Sequence, residues 1–204
     1  FSMDGDLAPL KALCDLADAH DSWMMTDDAH GLGVLGGGRG SAAEAGVGGR
    51  VPLQMGTLSK AVGSYGGYLC ASRAVIDLMI NRARSLIYAT GLPPAAVAAS
   101  STALELIGND GALVAAPMEK ARRFCRAVGL PEPQSPIVPL ITGDAGRALE
   151  ASAALAAKGF LVIAIRPPTV PEGTARLRFT FQATHRDDDI DRLANAVRDT
   201  GLVR

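Results

Sequence analysis

Segments with apolar residues at helical spacing alternate along this chain with short apolar runs bounded by glycine, and that alternation restricts it to the α/β class before any motif is considered. Leu7, Leu10, Leu13, Leu16 and Ala17 fall on one helix face, and Trp23, Met24, Met25 and Thr26 follow as a run that reads as a buried strand. Strands are expected around Leu53 to Met55 and Gly67 to Ala71, then a helix from about Arg73 to Leu86 with Val75, Leu78, Met79 and Ala83 on one face. Leu92-Pro93-Pro94 opens another helix, since proline is tolerated in a first turn but not in an interior, and Gly108-Asn109-Asp110-Gly111 stops it. Beyond lie a helix to about Val128, a strand at Ile137 to Ile141, a helix from Ala145 to Lys158, strands at Phe160 to Ile165 and Arg176 to Phe181, and a helix from Asp189 to Asp199. Their order suggests a separate small domain, giving a division into residues 1–108 and 109–204. Asp187 and Asp188 are candidate caps for the last helix, and Gly36 to Gly49 reads as a flexible loop within the first domain.

Hydrophobic residues make up 48% of the 204, enough for a sizeable core, while a net charge of −1 offers no electrostatic footprint for nucleic acid. No apolar run reaches the roughly 18 residues of a membrane helix. Cys14, Cys70 and Cys125 are odd in number and widely spaced, which fits reduced thiols of a cytoplasmic protein, placed in the core rather than acting as nucleophiles.

Chemistry concentrates in two places. Among only four lysines, Lys60 stands in the small-residue turn Gly56-Thr57-Leu58-Ser59-Lys60-Ala61-Val62, directly after an apolar run. A lysine amine attacks carbonyls once its surroundings lower its pKa, and Schiff-base chemistry with pyridoxal phosphate (PLP) uses that property. A solvated lysine in a Ser/Thr-rich turn is the plain alternative. Upstream, the strand at Trp23 to Thr26 ends in Asp27, Asp28, Ala29 and His30, and the carboxyl end of a strand in an open α/β sheet is where ligands sit. A carboxylate there can keep a pyridine nitrogen protonated. With no cysteine or further histidine nearby, a structural metal is not expected. Gly31, Gly33 and Gly36 form a literal G-x-G-x-x-G, yet Gly37, Gly38 and Gly40 follow, and that much glycine disfavours the helix a dinucleotide site requires. Those glycines instead let the backbone pass close to a cofactor or substrate.

DDAHGLGVLGGGRGS, followed about thirty residues later by GTLSKAVGSYGGYLCAS, resembles the α-oxoamine synthase family of fold-type-I PLP enzymes. FSMDGD at the start, IYATGLPPA in the middle and AIRPPTVPEGTARLRFTFQATH near the end extend the likeness across the chain. The resemblance implies the second half of a PLP-binding major domain followed by a small C-terminal α/β domain. Relatives are about twice as long, and a chain beginning Phe1-Ser2 is expected to lack the upstream half and to be inactive alone.

By the same resemblance Lys60 matches the Schiff-base lysine and Thr57 a hydroxyl beside the cofactor phosphate. Asp27 matches the partner of the pyridinium nitrogen, His30 the imidazole on the ring's phenolic oxygen, and Ser2 a serine that contacts the cofactor. Asp28 has no implied chemistry and is expected to orient its loop. Thr90 matches a residue that reaches the phosphate of a neighbouring subunit, which implies a homodimer with shared sites. At Arg176 and Arg178 two guanidiniums flank a strand start, where one can bind a carboxylate bidentately. Arg178 matches the residue that holds the amino acid's carboxylate, while Arg166 and Thr169 match positions near the acyl chain. A surface ion pair is the alternative for Arg166 and Arg176. The last block implies L-alanine and a pimeloyl thioester as substrates. Sister synthases that use glycine with acetyl-CoA or succinyl-CoA, and a non-catalytic copy of the fold, remain as alternatives.

Overall fold

The computed structural model describes residues 1–203, which fold as two compact units: Ala8–Val114, and Phe1–Leu7 together with the described residues from Ala115 onward. This grouping differs from the contiguous 1–108 and 109–204 division, because the first seven residues join the C-terminal part and the boundary falls inside a helix.

The unit of residues 8–114 holds a three-stranded sheet of β1 (Met25–Asp27), β2 (Leu53–Thr57) and β3 (Gly67–Cys70), with β1 and β2 parallel and β2 and β3 antiparallel. Helix α1 (Leu10–Ala19) buries Leu10, Cys14 and Ala17, and these pack with Ala42, Val47 and Val51. The expected buried first strand is exposed on one side, since Trp23 and Met25 are 69% and 58% accessible and only Thr26 is enclosed. Residues 36–49, expected as a flexible loop, contain α2 (Ser41–Glu44) and a 3₁₀ turn at Gly48–Arg50, and Glu44 Oε2 accepts from Gly36 N at 2.7 Å. The helix expected over 73–86 splits into α3 (Arg73–Arg82) and α4 (Arg84–Ile87). The Asn81 side-chain amide donates to Asp77 O at 2.7 Å, competing with the helical ladder just before the break. Helix α5 (Pro94–Asn109) starts at the expected prolines, and α6 (Gly111–Val128) begins where Asp110 Oδ1 accepts from Leu113 N at 2.9 Å.

In the other unit, β4 (Ile137–Gly143), β6 (Ala175–Thr180) and β5 (Ile163–Ile165) form an antiparallel sheet in that spatial order. Helices α7 (Ala145–Ala157) and α8 (Asp187–Asp199) join α6 in covering one face. Phe124 stacks at tilted angles on Phe179 and Phe181, 4.7 and 5.2 Å between ring centres, in a continuous core with Leu155, Leu177 and Val197. Asp187 and Asp188, expected as caps, instead stand in the first turn of α8: Arg186 occupies the cap position, and Asp187 pairs with Lys120 and Arg123 of α6. Cys14 and Cys125 are buried as expected, whereas Cys70 at the end of β3 is exposed. Among the described residues no helix is long and apolar enough to cross a membrane.

Candidate active site

The parallel register of β1 and β2 decides which side chains share a face. Asp27 pairs with Met55, and Thr57 lies two residues further along β2, so Asp27 and Thr57 project from the same face at the carboxyl end of the pair. Asp28 N donates to Met55 O at 2.7 Å, extending the ladder one residue past Asp27. The two adjacent acids are thereby sent to opposite faces, and their surroundings differ accordingly.

Asp28 is buried, and its Oδ1 accepts from Ser41 N at 2.8 Å. Gly31 and Gly40 press so closely on that carboxylate that neither position has room for a Cβ, and Gly40, at φ +95°, also needs glycine's conformational freedom. The expected orienting role of Asp28 is therefore seen directly: it ties the glycine-rich loop to the strand. Asp27 is exposed, and its Oδ1 accepts from Ala29 N at 2.9 Å.

Lys60 stands in a turn closed by backbone hydrogen bonds from Gly63 N to Lys60 O (3.0 Å), Ser64 N to Leu58 O (2.8 Å) and Leu58 N to Gly66 O (2.9 Å). Ser64 Oγ donates to Ala96 O at 2.8 Å and anchors the turn to α5. The Lys60 side chain itself is exposed. Thr57 Oγ1 donates to Gly66 O at 3.0 Å, accepts from Ser59 N at 3.2 Å and shares a 2.7 Å hydrogen bond with Ser59 Oγ. The loop bearing half-buried His30 lies against this turn, because a Cβ at Gly33 would come within 2.8 Å of Ala61 Cβ. Asp27 and Thr57 thus share one end of the sheet, and the segments that follow their strands carry His30 and Lys60. Thr90 is exposed in the segment between α4 and α5.

Tyr68 was not picked out by motif. It stands directly across from Gly56 on the face opposite Asp27, and its hydroxyl would lie 2.6 Å from any Cβ at position 56. Glycine at 56 is therefore required by the tyrosine, and strand alternation from Gly67 was the signal for it. Burial, with the charge of Asp28 adding to it, pushes the Tyr68 phenol up to about 12.

The substrate-side candidates belong to the other unit. Arg176 and Arg178 share the outer face of its sheet, turned away from the core to which Leu177 belongs. Arg178 sits between Pro139 and Ile163, is half-buried with Nε lacking a partner among the described residues, and has its pKa lowered by burial. Arg176 forms an ion pair, as the alternative held, but with Asp4 and almost wholly enclosed rather than on the surface. Arg166 and Thr169 are both exposed beyond β5, with Thr169 N donating to Arg166 O at 3.0 Å. Ser2 is half-buried in the opening segment, within the same unit as these arginines.

A carboxylate, an imidazole, a hydroxyl and a primary amine at the carboxyl edge of parallel strands, with glycine-rich loops around them, fit a group that presents a pyridine nitrogen, a phenolic oxygen, a phosphate and an aldehyde. The family model for class I and II aminotransferases matches residues 1–197, and the chain belongs to that family. Among curated relatives it is 67% identical over 203 residues to a protein of Acidiphilium cryptum named as a putative 8-amino-7-oxononanoate synthase, covering 100% of this chain and 52% of the relative. It is also 67% identical over 199 residues to the 8-amino-7-oxononanoate synthase of Methylocella silvestris, covering 98% and 57%. The chain spans about half the length of the curated relatives it matches. Among solved structures, Sphingomonas wittichii serine palmitoyltransferase is similar at TM-score 0.94 and 30% identity, covering 100% of this chain and 54% of that one. The 8-amino-7-oxononanoate synthase of Francisella tularensis is similar at TM-score 0.83 and 25% identity, covering 98% and 60%. Another serine palmitoyltransferase structure, at TM-score 0.93 and 29% identity over 100% of this chain and 54% of that one, holds PLP as an internal aldimine. The fold is that of the fold-type-I PLP enzymes, and the family and these neighbours indicate PLP as the cofactor.

Proposed function

We propose that this chain supplies the cofactor lysine and most of the cofactor's polar contacts to a PLP-dependent acyltransferase. In this reading L-alanine condenses with a pimeloyl thioester, of CoA or of a carrier protein, the α-carbon bonding to the acyl carbonyl as the thiol leaves, and carbon dioxide is lost to give 8-amino-7-oxononanoate for biotin biosynthesis. The observation that carries the proposal is the shared face of Asp27 and Thr57 beside the Lys60 turn, in a chain 67% identical to relatives that bear the synthase name. PLP, when bound, supplies an electron sink conjugated to the α-carbon of the amino acid.

The residues then divide the work. Lys60 holds the cofactor through its amine and, once displaced by the amino acid, takes the α-proton as general base. Asp27 keeps the pyridine nitrogen protonated through its exposed carboxylate, and His30 donates to the phenolic oxygen. Thr57 and Ser2 hold the cofactor in register, with Thr90 contributing from the neighbouring subunit of a homodimer. Arg178, half-buried on the outer face of its sheet, receives the amino acid's carboxylate; Arg166 and Thr169 flank the acyl chain. The domain assignment goes with this reading, residues up to the start of α6 completing a PLP-binding domain and the remainder forming the small domain of a cytoplasmic enzyme.

Two experiments test it. Reduction of the PLP-treated protein with borohydride should leave a pyridoxyl label on Lys60 alone, found by peptide mass; a label on Lys11, Lys120 or Lys158 instead would remove the central assignment. Asp27→Asn should retain PLP but lose most turnover in the enzyme of full length, and near-normal activity there would refute its role. The serine palmitoyltransferase neighbours favour a second reading, in which L-serine is the amino substrate. A visible spectrum that responds to L-alanine more than to L-serine or glycine decides for the first.

A further inference from the structure

Two motif residues to which the reaction gives no task meet each other. Asp4 of FSMDGD and Arg176 of ARLRF are 172 positions apart, yet the Arg176 guanidinium donates to Asp4 Oδ1. The Arg176 side chain is only 6% exposed, and its Nε donates to Thr174 O at 3.0 Å. A guanidinium so enclosed requires a paired anion, and the Asp4 carboxylate, itself about half exposed, provides it. The next residue, Gly5, has φ +73° and lies so close over Ile137 O of β4 that no side chain fits there. Gly5 N donates to Phe1 O at 2.7 Å and Leu7 N to the Gln134 side-chain oxygen at 3.0 Å, which complete the seating of the segment.

We infer that Arg176 is a positioning residue: with Asp4 and Gly5 it clamps Phe1–Leu7 to the sheet that carries Arg178, so that Ser2 and Arg178 are held in one piece. The paired arginines thereby have separate tasks, one neutralised by Asp4 to fix the backbone, the other, half-buried and in no ion pair among the described residues, left to meet an anion. The link from Ser2 to the cofactor rests on the function proposed above, whereas the clamp does not.

The test compares the whole chain with Asp4→Asn, Arg176→Lys and Arg176→Met variants by amide hydrogen exchange. Asp4→Asn should speed exchange at Gly5 and Leu7 by about tenfold or more while Leu140 and Leu177 are unchanged, with Arg176→Lys milder than Arg176→Met. Unchanged exchange at Gly5 and Leu7 in Asp4→Asn overturns the clamp; should Arg176→Met fail to fold, this variant at the half-exposed partner still decides. PLP titration of the full-length enzyme, followed by visible absorbance, then tests Ser2. Ser2→Ala and Asp4→Asn should each weaken PLP binding, and the double variant no more than Ser2→Ala alone. Losses that simply add overturn the positioning of Ser2. An enzyme of full length that takes up no PLP overturns the functional reading instead, and the exchange rates alone then settle the clamp.

Discussion

The two units are built to different standards of enclosure. The C-terminal one wraps seventeen buried residues into one cluster around Phe124 and Leu177, whereas the unit with the cofactor candidates has a buried cluster of five, and its strands are only half covered. Yet the second is the more tightly specified in its loops, where Asp28, Ser41, Gly31 and Gly40 leave no slack. Burial of apolar surface stabilises the one; hydrogen bonds to a buried carboxylate and glycine-only approaches shape the other. The cofactor candidates other than Ser2 lie in the less enclosed unit, in a chain that spans about half the length of its curated relatives.

The sharpest way to break this comparison is to empty each core in turn. Phe124→Ala should cost about 3–5 kcal/mol, since a fully buried ring leaves a cavity among Phe179 and Phe181. Val51→Ala, in the smaller cluster, should cost about 1–2 kcal/mol for the two methyl groups removed. Amide exchange should show Phe124→Ala loosening Val138 and Leu177 while Thr26 and Met55 keep their rates. Equal loosening of both sheets would mean that the cores are not separate.

A smaller effect distinguishes the adjacent acids. Asp28→Ala should lower stability by about 1–3 kcal/mol, because Ser41 N loses its acceptor in a buried setting and the 31–46 loop loses its anchor. Asp27→Ala, at an exposed position, should stay within about 0.5 kcal/mol of the parent in thermal melting while losing PLP affinity. Were the two melting temperatures to fall together, the division of labour between the faces of β1 would be wrong.

Much of this was legible in the chain. The order of helices and strands followed from periodicity and proline and glycine punctuation, and Lys60, Asp27 and His30 were marked by their position after short apolar runs. What could not be read depended on contacts distant in sequence. The enclosure of Arg176 needed Asp4, 172 residues away, and no local pattern predicts such a pair. The glycine-rich run after His30 looked flexible because composition alone does not reveal that Asp28 holds it. Trp23 and Met25 were expected inside because an apolar run signals burial, but a run cannot say whether another layer covers both faces of its sheet.

The mildest expected effect concerns Tyr68, which lies on the face of the first sheet opposite Asp27. Its phenol is raised to about 12 in the folded chain, above the value near 10 of a free tyrosine, so between those limits the folded state keeps a proton that the unfolded state has released. Its contribution is therefore fully present below about pH 10 and is lost as pH rises towards 12. Denaturant midpoints measured from pH 9 to 12 should fall more steeply for the parent than for Tyr68→Phe, and the substitution should remove the highest-pH step of the phenolate absorbance. Parallel slopes would mean that water reaches this face as freely as the face carrying Asp27, and the contrast between the two sides of the sheet would then rest on Asp28 alone.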